Sequence, residues 1–291
     1  MKHKVLLLGA GDRFNYGDLL FPHILVNAIP LVDSVGLVFN NYGLVKSNLS
    51  TYGAYPTHSI KAFYKDLALA SENITIIIIG GEVLGPHWNN LLKCISSLYY
   101  SFSLKKRVKR YINLEKIAKT ILGGRSERPY ILEGRILKES CKLIYNSVGG
   151  ISLPFDDHYE IKRVISNLSE ARYLAVRDIY TYDGLRKNGL ENCVLVPDSA
   201  ILMHEFFDMV FLKEKITSQL NEKIAQIGQG YVFFQTNKKY GEKYFDSIIK
   251  FLTTIVEQYK FKVILCPIGK APNHEDDKIL RLISGQLHIQ H

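Results

Sequence analysis

Cysteine is scarce in this chain and thinly spread. Its 291 residues hold four cysteines (Cys94, Cys141, Cys193 and Cys266), with no Cys-x-x-Cys pair and no histidine at metal-ligand spacing. That excludes a disulfide scaffold and a zinc site of ordinary spacing, and it reads as a reduced, cytoplasmic chain with no metal. Long apolar runs are also missing: nothing approaches the roughly 18–20 residues of a membrane span. The opening "MKHKVLLLGAGD" has only four strongly apolar residues before its first glycine. A secretory h-region needs more, so a first β-strand is expected there. Two nucleotide fingerprints are absent as well. Phe14 stands where Gly-x-Gly-x-x-Gly requires its third glycine, and no Gly-x-x-x-x-Gly-Lys-Ser/Thr occurs, which argues against a P-loop nucleotidase.

What is present is an ordinary globular composition, 47% hydrophobic and 11% aromatic, long enough for two domains. Thirty-seven basic against 28 acidic residues give a formal +9. Such an excess suits an acidic small molecule, an anionic polymer or a membrane surface, and by itself selects none of them. No nucleic-acid motif accompanies it, so a nucleic-acid partner is not expected.

Seven segments share one grammar, a short β-prone run followed by glycine or polar residues: "KVLLLGAGD", "ITIIIIGGE", "CKLIYNSVGG", "RYLAVRD", "NCVLVPDS", "YVFFQTNK" and "FKVILCPIGK". Near-continuous apolar runs of this kind describe strands buried on both faces, hence parallel sheets covered by helices. Helical patterns lie between them, in "LLFPHILVNAIPLV", "FDDHYEIKRVISNLSEA" and "EKYFDSIIKFLTTIVEQY". The expected fold is α/β and doubly wound. A first domain is expected over 1–205, then a linker and a second α/β domain over 206–291, begun by a helical or irregular connection. After "YVFFQTNK" starts there is room for two strands and two helices, short of a full second sheet. One interval breaks the rhythm, a basic helical insertion near 89–130 with Lys105, Lys106, Arg107, Lys109 and Arg110. It reads either as a solvated helical pair with one wet face or as a segment lying on an anionic membrane surface.

In open parallel sheets ligands gather at the carboxyl ends of the strands, so the polar hooks are where chemistry is expected. In "FNYGD", Asn15, Gly17 and Asp18 either shape a substrate site or form a turn that caps the next helix. Gly80 and Gly81 permit close backbone approach to a ligand, with Glu82 beside them as a ligand or a first-turn helix charge. Ser147, Gly149 and Gly150 form a third hook. Arg177 directly follows "YLAV", held at a strand end to fork onto a carboxylate or phosphate, or paired with Asp178 or another acid. Asp198, after Pro197, binds sugar hydroxyls or caps a helix. Further on, Gln235, Lys238, Lys239, Lys270 and His274 stand near strand ends.

With these hooks in view the chain resembles the polysaccharide pyruvyl transferase family. The likeness is carried by "FNYGD", "IIIIGGEVLG", "NSVGG", "LAVRDIYTYDGLRKNGLENCVLVPDSAIL" and "YVFFQTN". Its most specific piece is the Arg-Asp strand end followed by the Val-Pro-Asp strand end. The resemblance implies two Rossmann-like halves of GT-B type and transfer of an enolpyruvyl group from phosphoenolpyruvate to a sugar hydroxyl pair. The product would be a pyruvate ketal in bacterial surface polysaccharide (capsule or exopolysaccharide) synthesis. Phosphoenolpyruvate would be a co-substrate, with no cofactor, and the partner a sugar or lipid-linked oligosaccharide acceptor met in the cytoplasm or at the inner membrane face. It further implies Asp18 or Asp198 as base, with Asn15, Gly17, Gly80, Gly81, Glu82, Arg177, Asp178, Gln235 and Lys239 around the substrates. Family members carry a late Ser-x-Arg-x-x-His-like segment. Here the sequence ends at "SGQLHIQH", and His288 lacks the preceding arginine, so the second half is expected to be incomplete. Two alternatives stay open. One is a GT-B nucleotide-sugar glycosyltransferase using Glu275, Asp276 or Asp277 on a ribose, and the other is an inactive sugar-binding remnant.

Overall fold

The computed structural model describes residues 3–32, 36–69, 74–228, 230–272 and 275–287; His274 and His288 lie outside the described residues. The chain forms two compact units, Met1–Met203 and His204–His291. The first begins β1 (His3–Leu8), α1 (Tyr16–Val32), β2 (Leu37–Tyr42), α2 (Ile60–Leu69), β3 (Ile74–Ile78) and β4 (Gly81–Glu82). Four short helices follow: α3 (Trp88–Ile95), α4 (Ser97–Ser103), α5 (Lys106–Tyr111) and α6 (Leu114–Leu122). The sheet then resumes with β5 (Cys141–Gly149), α7 (His158–Leu168), β6 (Tyr173–Val176), α8 (Ile179–Lys187) and β7 (Cys193–Leu195). After α9 (Met203–Phe206), α10 (Met209–Lys215) and α11 (Ser218–Ile227) come β8 (Tyr231–Phe234), α12 (Lys238–Lys243), α13 (Phe245–Glu257), β9 (Lys262–Leu265) and α14 (Asp276–Gln286).

The first unit is built on a parallel sheet in the order β2-β1-β3-β5-β6-β7, with β4 paired to the end of β5. Its central strands explain the apolar runs. Leu6, Leu8, Ile76 and Ile78 enter one core with Phe63, Trp88, Leu143 and Ile161. Their neighbours Val5, Leu7, Ile77 and Ile79 pack on Phe21 and Leu25 of α1 at the opposite face. Alternate residues of one strand thus feed two cores, and polar positions in β1 and β3 are confined to the strand starts, at His3, Lys4 and Thr75. The edge strand β2 escapes that pattern: "LVFNNY" is buried only at Tyr42, so its asparagines hide it among loops. Helix α1 runs through Pro22 and Pro30, each of which removes a hydrogen bond one turn back. Burial of Phe21, Ile24 and Leu25 outweighs that loss.

Helix α1 covers one face and α2 the other, and β1 lies between β2 and β3. The winding therefore reverses at β1, which opens a crevice beyond the carboxyl ends of β1 and β3.

In the second unit the expectation of strands buried on both faces fails. Strands β8 and β9 make a two-stranded parallel sheet. Phe234, Val263 and Leu265 pack against Leu252, Ile279, Leu280 and Ile283 of α13 and α14, whereas Tyr231 and Phe233 are more than half exposed. The helices cover one face only. Among the described residues after Gly230, three helices accompany the two strands, one more than expected. The insertion also departs from a simple helical pair, being the four helices α3–α6.

Candidate active site at the strand ends

The hook after β1 is a buried polar knot. Asp12 turns inward, its Oδ2 accepting the backbone N–H groups of Leu44 (2.6 Å) and Val45 (3.1 Å) beyond β2. Arg13 follows with a nearly buried guanidinium, 11% exposed. Its Nη2 donates to the Tyr130 hydroxyl at 3.4 Å, and its buried Nη1 has no hydrogen-bond partner among the described residues. Burial works against the Arg13 charge, but the surrounding Tyr130, Asp12 and Asp18 outweigh it, and the guanidinium stays charged. Asn15 then donates from Nδ2 to Asp18 Oδ2 at 2.9 Å, placing that carboxyl in the first turn of α1. Burial pushes the Asp18 carboxyl up to about 6 and the nearby Asp12 adds to the rise, while Arg13, Arg177 and the Asn15 hydrogen bond oppose it.

The hook after β3 closes on the same carboxyl. Gly81 has φ +84, and a Cβ there would stand 2.9 Å from Asp18 Oδ1. Only glycine both accepts the left-handed backbone and leaves the carboxyl its place. Glu82 emerges next. Its carboxyl pKa is raised, chiefly by burial, and its buried Oε2 has no hydrogen-bond partner among the described residues. That oxygen lies 4.0 Å from Arg177 Nη2. Both groups pass directly over Gly149, where a Cβ would collide with Glu82 Oε2 and approach Arg177 Nε to 3.0 Å.

Arg177 leaves the end of β6 and donates from Nη1 to Asp198 Oδ2 at 2.7 Å. Asp198 Oδ1 accepts the Ala200 N–H, so the same carboxylate caps a short helical turn and fixes the guanidinium. Ser147 strengthens this corner: buried, with φ 51, it donates from Oγ to the Pro197 carbonyl at 2.9 Å. Pairing between β5 and β6 shifts register at this point, between Tyr145 and Val148. Local strain is thus spent on tying the end of β5 to the residue that precedes Asp198.

The structure therefore brings Asn15, Asp18, Gly80, Gly81, Glu82, Arg177 and Asp198 to one end of one sheet. Gly17 lies in the first turn of α1, where a Cβ would stand 3.9 Å from Asn15 Oδ1, an ordinary contact. Asp178 points elsewhere: its two carboxylate oxygens accept the Thr181 N–H and hydroxyl, both at 2.8 Å, so it caps α8. Gln235 and Lys239 belong to the second unit, exposed just after β8 and in the first turn of α12. Lys238 pairs with Glu275 at 3.0 Å, and Glu275 also holds Lys278. Asp276 accepts the Gly269 N–H at 2.8 Å. Two of the three acids considered for a ribose are therefore engaged within their own unit. Among the described residues no group of three or more His, Cys, Asp or Glu side chains is placed to hold a metal ion.

Sequence reasoning missed Arg13, Asp12 and Tyr130. Arg13 and Asp12 lie inside "GAGDRFNYGD", among glycines that carry the more familiar pattern. The usable signal was a cation flanked by two acids directly after a buried strand. Tyr130 gave none, because it reaches the knot from the far end of the insertion.

A sequence model described as polysaccharide pyruvyl transferase matches residues 15–289, a span that includes both Asp18 and Arg177. The chain belongs to the polysaccharide pyruvyl transferase family. Among solved structures, this family member is similar to the UDP-GlcNAc 2-epimerase of Methanocaldococcus jannaschii, at TM-score 0.49 and 10% identity over 99% of this chain and 69% of that one. No curated protein matches the sequence.

Proposed function

We propose that this transferase moves the enolpyruvyl group of phosphoenolpyruvate onto a pair of sugar hydroxyls, forming a pyruvate ketal in surface polysaccharide synthesis. The observation that carries the reading is Asp18, a half-buried carboxyl with a raised pKa, lying within the fields of both Arg13 and Arg177. With this reading goes an organisation of two Rossmann-like halves of GT-B type.

Chemical balance assigns the roles. The diol loses two protons: one ends on the methylene carbon of the donor, which becomes methyl, and the other leaves with phosphate. A carboxylate whose pKa sits near 6 is ionised at neutral pH and is a better base than an ordinary aspartate, so Asp18 takes the proton of the attacking hydroxyl. Asp198, fixed to Arg177 by a 2.7 Å hydrogen bond, acts as a positioning residue in place of the base role first considered for it. Arg177 receives the donor's carboxylate or phosphate. That second anion would push the neighbouring Glu82 carboxyl further toward its protonated form, making it the acid that protonates the methylene carbon. The acceptor hydroxyls attack the carbon bearing phosphate, first one and then the other, and phosphate departs.

The test is phosphate release from phosphoenolpyruvate with and without a panel of sugar and lipid-linked acceptors. Release that needs both an acceptor and Asp18 is expected. No release across a panel that a related enzyme turns over would overturn the reading, as would thermal protection by a nucleotide sugar and not by phosphoenolpyruvate.

A further inference from the structure

We propose that helices α4–α6 form a docking surface for an anionic lipid bilayer. The lipid-linked class of acceptor that this implies rests on the transferase reading above, whereas the docking itself does not.

Residues 97–122 hold seven cations and one acid, +6 of the chain's formal +9. The acid is partly exposed but engaged: Glu115 accepts the backbone N–H groups of Trp88 (2.8 Å) and Asn89 (2.9 Å). Lys105, Lys106, Arg107, Lys109 and Arg110 are all exposed. Among the described residues none of the five forms an ion pair, and Arg110 lies over the Tyr111 ring at 5.5 Å. Val108, the residue within the cluster, is buried, and the exposed side chains beside the cluster include Leu98 (85% exposed), Leu104 (50%) and Tyr111 (75%). Exposed apolar and aromatic groups flanking cations that form no ion pair among the described residues match a headgroup boundary, where the cations meet lipid phosphates and the others enter the acyl margin. Among the described residues no helix is long and apolar enough to cross a membrane, so this would be contact with a surface.

The mount is rigid. Tyr99 is buried, its hydroxyl donating to Asn89 Oδ1 and the Leu114 carbonyl, both at 3.0 Å, and Ala118 and Leu122 enter the main core. The insertion also begins and ends at the strand-end cluster. It leaves the sheet just after Glu82, and on its return Tyr130 meets Arg13. A bilayer held by α4–α6 would therefore lie near the carboxyl ends of β1 and β3, where an acceptor carried on a lipid would be presented.

The experiment is co-sedimentation of the full chain with vesicles of phosphatidylglycerol and phosphatidylcholine, against vesicles of phosphatidylcholine alone. At least tenfold stronger partitioning to the anionic vesicles is expected. It should be lost in Lys105→Glu/Lys106→Glu/Arg107→Glu and weakened several-fold in Leu98→Ser/Tyr111→Ser. Thermal unfolding, and turnover of a water-soluble acceptor, should match the parent. Equal binding to both vesicle types, no binding, or full binding by the charge-reversed variant would overturn the proposal. So would equally tight binding to a DNA duplex that ignores the Leu98/Tyr111 change, since that describes a polyanion site. A chain that sediments but releases no phosphate refutes the transferase reading alone; one that releases phosphate without sedimenting refutes the docking alone.

Discussion

Two arginines stand at the carboxyl end of one sheet and are held in opposite ways. Arg177 is half-exposed and neutralised by Asp198 at 2.7 Å, with Glu82 at 4.0 Å. Arg13 is nearly buried, yet its Nη1 stands 3.8 Å from the Asp12 carboxylate and makes no hydrogen bond among the described residues. The first is a preformed fork, able to exchange one anion for another at the surface of a crevice. The second is a fixed positive charge in a low-dielectric interior, where its field acts strongly on what lies nearby. Asp18 feels both. On the proposed reading the contrast gives Arg177 to a ligand and Arg13 to the protonation state of a carboxyl.

The largest effect should come from the group between them. Asp18→Asn keeps the Asn15 contact but cannot take a proton, so phosphate release should fall about 10³-fold. The same change should raise stability at alkaline pH. The folded pKa of Asp18, about 6, exceeds the ordinary 3.8, so the protonated form is the favoured one in the fold. That advantage is lost as pH rises through 6, and asparagine does not lose it. Above pH 7 the variant should gain roughly 2 kcal/mol after allowance for its partial exposure, and below pH 4 nothing. Equal melting temperatures at pH 8 would mean that Asp18 carries no such cost.

Next comes Arg177→Lys. An ammonium cannot fork onto a carboxylate or phosphate while keeping Asp198, so turnover at low phosphoenolpyruvate should drop about 10²-fold, chiefly through a higher KM. If kcat falls and KM stays, Arg177 serves the transition state and not donor capture, and the contrast with Arg13 weakens.

Arg13 should reveal itself in a pH profile. Its charge lowers the Asp18 pKa, so Arg13→Gln removes that pull and should move the acidic limb of kcat/KM, near pH 6 in the parent, upward by about one unit. Arg13→Lys should restore much of the original limb. A variant that loses rate equally at every pH would show a structural role only.

Why one arginine could be read from sequence and the other could not is a matter of which signals are local. Arg177 follows four apolar strand residues and precedes a helix, so its address at a strand end is written in neighbours. Asp198 and the Gly80-Gly81 turn are legible in the same way, as are the apolar strands of the first unit, whose two buried faces leave unbroken runs. The partners of Arg13 come from elsewhere in the chain, with Tyr130 117 residues away and the Leu44 and Val45 amides that hold Asp12 beyond β2. No spacing rule links them. Strand β2 was hidden for a related reason: an edge strand with Asn40 and Asn41 has no buried faces to advertise. In the second unit apolar strand residues were present, but helices cover only one side of the sheet, and pattern alone does not show that.

Asp178 offers the smallest and most diagnostic effect, because it adjoins Arg177 in sequence and differs from it in task. Read as part of an Arg-Asp pair, it belongs to the substrate; seen with Thr181 on both oxygens, it is a helix cap. Asp178→Ala should lower stability by about 1 kcal/mol, the usual cost of a lost N-cap, and leave kcat/KM unchanged apart from any loss of folded protein. Asp178→Ser should recover most of that stability, since a hydroxyl can still accept the Thr181 N–H. A substrate contact would behave differently: serine would rescue the fold and not the rate. Urea unfolding of the two variants beside their steady-state kinetics separates the cases, and a rate defect that persists in the serine variant would return Asp178 to the site with Arg177.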